Sequence, residues 1–150
     1  LAALAQAVIE KHKPAESCQI ICAIDARMGE YYMGRYIVRS GLVFAVTNDS
    51  LLRPEEVMLW LDNKSPRAAQ PDAVKNSVLA GNLALQPPFG EINWMRVDAD
   101  SVALARHLLP LAQTKWQTGE YTAAELAQPV YLRGKPAWKT IAQGAQGKAG

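Results

Sequence analysis

Asp25, Arg27 and Glu30 fall within one short run, Asp25-Ala26-Arg27-Met28-Gly29-Glu30, directly after an apolar stretch. Carboxylates that leave the end of a strand are where α/β proteins commonly build sites, so a paired-acid or metal-dependent hydrolase is the sharpest chemistry this cluster suggests. A ribonuclease-type site needs further acids on neighbouring strands, and the apolar segment Val78 to Ala80 supplies none. The alternative is structural: Asp25 caps the turn, and Arg27 and Glu30 pair across its mouth in solvent. Serine-type hydrolysis needs a base beside its nucleophile. The two histidines, His12 beside Lys11 and Lys13 and His107 beside Arg106, both read as surface residues, and no Gly-x-Ser-x-Gly elbow occurs. Cys18 and Cys22 would lie on one face of an extended strand about 13 Å apart, beyond disulfide reach, and they lack the further ligands of a zinc site. Ala80-Gly81-Asn82 has one glycine and no following Lys-Ser or Lys-Thr, so no phosphate loop is expected. The cofactor expectation is therefore none.

The elements that must position these residues are legible from periodicity. Leu1, Leu4, Ala5, Val8 and Ile9 form one apolar stripe on a helix that ends before Pro14. Gln19 to Ile24 is a continuous apolar run suited to a strand buried on both faces. Tyr31 to Arg39 alternates, with Tyr32, Gly34, Tyr36 and Val38 on one face and Met33, Arg35, Ile37 and Arg39 on a wetter one. After Ser40-Gly41, Leu42 to Thr47 completes an antiparallel meander. Arg53-Pro54-Glu55-Glu56 opens a helix that buries Val57, Trp60 and Leu61. Residues 62 to 76, broken by Pro66 and Pro71, form a surface loop. Val78 to Ala80 is a short strand. A long helix capped by Asp98 carries Val102, Ala105, Leu108, Leu109, Ala112 and Trp116, is kinked or divided by Pro110, and stops at Gly119. Pro129 to Leu132 is a strand or extended segment.

The predicted fold class is an α/β layer with a mixed sheet in the ribonuclease-H-like pattern; a ferredoxin-like arrangement would share several of its elements. The 150 residues are 49% hydrophobic and 20% charged, which excludes a disordered or collagen-like chain and a disulfide-dense scaffold. The net charge of +2 is far from the basic stripe of a nucleic-acid binder. Charge is uneven, because no acid follows Glu125 while Arg133, Lys135, Lys139 and Lys148 do. The apolar opening contains Gln6 and runs into Glu10-Lys11, so it is neither signal peptide nor membrane span, and a cytoplasmic protein is expected. Of the tryptophans, Trp60, Trp94 and Trp116 suit packing, and only Trp138, between Lys135 and Lys139, has the surroundings that RNA stacking wants.

Two segments carry a family resemblance. Ala23-Ile24-Asp25-Ala26-Arg27-Met28-Gly29-Glu30-Tyr31-Tyr32 and Pro129-Val130-Tyr131-Leu132-Arg133, continuing to Ala137-Trp138-Lys139, resemble the C-terminal half of the bacterial TsaB family, also called YeaZ. The resemblance implies an actin-like ATPase fold made of two ribonuclease-H-like halves. It also implies a non-catalytic scaffold that acts with a TsaD-like threonylcarbamoyltransferase and a TsaE-like ATPase on the adenosine beside the anticodon of tRNA, contacting tRNA at most indirectly. The family's older glycoprotease label follows from fold alone. A metal-dependent peptidase or nucleotide hydrolase of that fold, and a tRNA binder using the basic tail, are the alternatives. The family's opening Leu-Ala-Ile-Asp-Thr strand and its Gly-Pro-Gly-Ser-Phe-Thr-Gly segment do not occur here. The expected organisation is thus a linking helix at 1–13 from a missing N-terminal half, a ribonuclease-H-like domain at 14–142 and a disordered tail at 143–150. A fragment of that kind would expose the stripe from Leu1 to Ile9 and form a homodimer or self-associate. The family-motif positions are Asp25, Arg27, Glu30, Tyr131 and Arg133, with turn contacts and tail anchoring as their implied roles. Burial of Tyr131 and Trp138 is expected to pin the tail.

Overall fold

The computed structural model describes residues 1–63 and 76–133. Helix α1 (Ala2–His12) precedes β1 (Gln19–Asp25), β2 (Tyr31–Arg39), β3 (Leu42–Ala45) and β4 (Ser50–Leu52). A 3-10 turn at Pro54–Glu56 leads into α2 (Val57–Asn63), followed by β5 (Ser77–Ala80) and β6 (Arg96–Asp98). A second 3-10 turn, Ala105–Leu108, then opens α3 (Leu109–Gln117). The sheet order is β3-β2-β1-β5-β6, with β4 also on β2. β1 is antiparallel to β2 and parallel to β5, and β5 is parallel to β6. This mixed order is the expected ribonuclease-H-like pattern and excludes the ferredoxin-like one.

Period-two alternation explains why both faces of the sheet are covered. Ile20, Cys22, Tyr36, Val38, Val78 and Ala80 pack with Leu4, Ala5 and Val8 of α1. Ile21, Ala23, Met33 and Leu79 pack on the opposite side with Val57, Trp60, Phe89 and Trp94. Contrary to expectation, the α1 stripe is buried against the chain's own sheet, so it offers no exposed surface for self-association. Gln6, also buried on α1, donates from Nε2 to Gly41 O (3.1 Å) and accepts from Val43 N at Oε1 (3.2 Å). α1 ends where Lys13 takes a left-handed conformation before Pro14.

Several sequence readings are corrected. β4 was not foreseen, because three residues are too few to show a period. Asp98 ends a strand rather than capping a helix, and Pro110 lies in the first turn of α3, where its missing N–H costs nothing. The long helix is therefore short and starts in a 3-10 turn. Arg35, placed on a wetter face, is only 2% exposed. It donates to Trp60 O (3.3 Å) and Leu61 O (2.9 Å) at the end of α2 and stacks 4.8 Å from the Trp60 ring. Burial lowers its pKa from the ordinary arginine value. Pro129 to Leu132 belongs to no strand. Residues 64–75 of the expected loop, and Trp138 and the 143–150 tail, lie outside the described residues.

Two glycines, one just after β5 and one inside β2, allow close approaches. Gly81, at φ +121°, passes so close to β1 that an added Cβ would lie 2.1 Å from Ala23 O. Gly34 leaves room for a contact between Tyr36 and Asp49, since a Cβ there would lie 2.7 Å from Asp49 Oδ1.

Candidate functional site at the β1–β2 turn

The turn joining β1 to β2 is closed by Ala26 N donating to Glu30 O (2.8 Å) and Glu30 N donating to Arg27 O (3.1 Å). Asp25 caps it as expected: Oδ1 accepts from Arg27 N at 2.8 Å. Asp25 N in turn donates to Asn82 Oδ1 (3.0 Å), tying the turn to the loop after β5. Arg27, Met28 and Gly29 all have positive φ, at 66°, 58° and 74°. Gly29 adopts this freely, whereas the two L-residues do so against steric cost. Met28 is left 74% exposed at the tip.

Arg27 does not pair with Glu30; its guanidinium lies 3.6 Å from Asp25 Oδ2. Glu30 pairs instead with Arg133. Arg133 Nη2 also donates to Ala26 O (3.3 Å), and Nη1 lies 3.6 Å from the Met28 sulfur. Arg133 thus ties the end of the described chain to the turn, whereas Tyr131 is 81% exposed and contributes no packing of the kind expected. Beside the turn, a cleft of about 390 Å³ is bounded by Met28, Glu30, Arg53, Glu55 and Arg133. Arg53 N and its guanidinium both contact Glu56, which holds that carboxyl below the usual range. A second cleft, about 370 Å³, lies between Ile24, Tyr32 and Asp49 on one side and Val130 to Arg133 on the other.

The two histidines correct the sequence reading, and with them Asp98 emerges as a hub. The Asp98 side chain is fully buried. Its carboxylate accepts from Lys11 Nζ (3.1 Å), Ser101 N (2.9 Å), Ser101 Oγ (2.8 Å) and Asp100 N (3.1 Å), and it meets His12 Nε2 at 2.5 Å. Burial alone would raise its pKa, but the hydrogen bonds from Ser101, Lys11 and His12 outweigh this and hold it well below the usual carboxylate range. His107 is buried too; its Nδ1 accepts from Leu104 N (3.1 Å) and its Nε2 faces Glu10 at 3.6 Å. The Tyr36 hydroxyl donates to Asp49 Oδ1 (2.6 Å), and burial followed by that carboxylate pushes the phenol pKa up.

Chemically, each acid near these strand ends is already engaged: Asp25 by the turn and Arg27, Glu30 by Arg133, and Asp98 by Lys11, His12 and Ser101. Among the described residues no group of three His, Cys, Asp or Glu side chains could hold a metal ion. Cys18 and Cys22 are free buried thiols. The charges at these strand ends are paired within the chain. No helix of the described residues is long and apolar enough to cross a membrane.

No family model matches the chain. It is 31% identical, over 132 aligned positions, to the tRNA threonylcarbamoyladenosine biosynthesis protein TsaB of Escherichia coli (strain K12), covering 82% of this chain and 51% of that protein. Against the protein of the same description from Haemophilus influenzae, identity is 30% over 150 aligned positions, covering 94% of this chain and 57% of the relative. Among solved structures, a Pseudomonas aeruginosa protein described as uncharacterized with similarity to peptidase YeaZ superposes with TM-score 0.70 at 32% identity, covering 89% of this chain and 56% of that one. YeaZ from Pseudomonas aeruginosa gives TM-score 0.69 at 31% identity, covering 88% and 56%. The chain thus spans about half the length of these relatives, and its sheet is that of their ribonuclease-H-like, actin-like fold. By sequence and by fold over that span, the chain belongs to the TsaB (YeaZ) family.

Proposed function

We propose that the chain serves tRNA threonylcarbamoyladenosine biosynthesis as a non-catalytic scaffold, pairing with a TsaD-like threonylcarbamoyltransferase and a TsaE-like ATPase. Its relatives from Escherichia coli and Haemophilus influenzae are tRNA threonylcarbamoyladenosine biosynthesis proteins, which supports that process. The observation that carries the scaffold reading is the internal neutralisation of Asp25, Glu30 and Asp98. A general acid or metal ligand must be presented to substrate, and these carboxylates are each engaged by a cation or by the backbone of the chain itself. What remains on the outside is shape: a turn with an exposed methionine, and an exposed tail beside two clefts. An exposed surface of this kind is available to a protein partner. Work on tRNA in this reading belongs to the cytoplasm, with the partners supplying the chemistry.

The test has two arms. Titration of the chain into a TsaD-like enzyme by calorimetry should give saturable binding, and the chain alone should hydrolyse neither ATP nor peptide with magnesium or zinc present. Hydrolysis by the chain alone, abolished by a chelator, would replace the scaffold with an enzyme; absence of binding heat would remove the partner.

A further inference from the structure

Every residue from Lys115 to Tyr131 is exposed. Among the described residues, segment 121–133 is joined to the rest of the chain by hydrogen bonds through Arg133 alone. Those bonds converge on one object. The guanidinium reaches Ala26 O before the left-handed residues, the Met28 sulfur among them, and the Glu30 carboxylate after them. A backbone carrying two L-residues at positive φ persists only where its surroundings offset the cost. Here the offset is Asp25 Oδ1 on Arg27 N, the Ala26–Glu30 backbone bond, and the Arg133 fork that spans the turn from outside.

We propose that Arg133 is a latch coupling the C-terminal segment to the backbone conformation of the Asp25–Glu30 turn, so that tail and turn form one two-state element at the end of the sheet. Latched, the turn keeps Met28 outward and the segment Val130–Tyr131–Leu132 lies along the cleft beside Ile24, Tyr32 and Asp49. Unlatched, Glu30 and Ala26 O lose their donor, the turn loses its outer support, and the tail leaves together with the wall it contributes to that cleft. The surface offered to a partner therefore changes in two places through one side chain. One nitrogen, Nη2, meets both the Glu30 carboxylate and Ala26 O, while Nη1 lies against the Met28 sulfur, so the planar guanidinium touches the turn before, within and after its left-handed residues.

Nuclear magnetic resonance on the 150-residue chain tests this with Arg133→Gln and, from the other side of the contact, Glu30→Gln. Both side chains lie near the surface, so the sheet persists and the Ile21 and Leu79 amides serve as internal reference. In each variant, order parameters of residues 130–132 should fall from roughly 0.85 to below about 0.6. Amide exchange at Ala26 and Glu30 should speed about tenfold, the change expected for one lost charge-assisted hydrogen bond, and the HN–Hα couplings of Arg27 and Met28 should shift. A tail that stays ordered in both variants overturns the latch. A tail that loosens while Ala26, Arg27, Met28 and Glu30 keep their exchange rates and couplings overturns the coupling.

Discussion

Replacing Asp98 by Asn removes one charge and little volume from a fully buried site, so its effect isolates the electrostatics at the end of β6. The carboxylate receives three backbone and hydroxyl bonds from Asp100 and Ser101 and two side-chain contacts from Lys11 and His12. An amide keeps one acceptor oxygen and turns an NH2 group toward donors. Breaking a buried ion pair from one side costs about 3–5 kcal/mol, and partial retention of the acceptor together with the half-exposed Lys11 brings the expectation to about 2–4 kcal/mol at pH 7. In a chain of this length that is a fall in Tm of roughly 4–16 °C. The pH dependence discriminates further. The folded pKa is depressed below an unfolded value near about 3.9, so the ionised carboxylate contributes its full stability above that value and loses it as pH falls toward the folded one. Urea unfolding of wild type and Asp98→Asn at pH 7, 5 and 3 should show a constant difference between the first two and a smaller one at pH 3. An equal penalty at pH 3 and pH 7 would refute the electrostatic account and leave only the lost acceptor oxygen.

Two shorter expectations follow from the strand ends and the core. Gly81→Ala combines φ +121° with a Cβ 2.1 Å from Ala23 O, so it should destabilise by about 2–6 kcal/mol in urea unfolding; a change under about 1 kcal/mol would show that β1 and β5 separate easily. The Cys22 thiol, fully buried and pushed up to about 12 by desolvation, should resist alkylation at pH 8 and label quickly only in denaturant, whereas labelling at the rate of a free thiol would mean that α1 opens readily.

What the sequence disclosed and what it hid divide along contact distance. The run Gln19 to Ile24 and the alternation from Tyr31 to Arg39 are local patterns, and β1 and β2 lie where those patterns put them. The turn was legible from Asp25 and Gly29 for the same reason. Asp98 was misread as a helix cap because its partners Lys11 and His12 are 87 and 86 positions away. Arg35 read as solvent-facing because the carbonyls that accept from it end a helix 25 residues later. The Glu30–Arg133 pair spans 103 positions and was reached only through the family motif, which marked both residues without saying that they meet.

The Gln6 amide bears on how copies of this chain meet in a crowded solution. β3 is an outer strand, and the backbone groups along such a margin ordinarily template a further strand from a neighbouring molecule. By occupying Val43 N of β3 and Gly41 O in the turn before it with a single side chain, α1 takes up two of the hydrogen-bonding groups that an intruding strand would have used. Helix and sheet margin are thereby committed to each other, and the helix that closes the core also blocks strand addition at the start of β3.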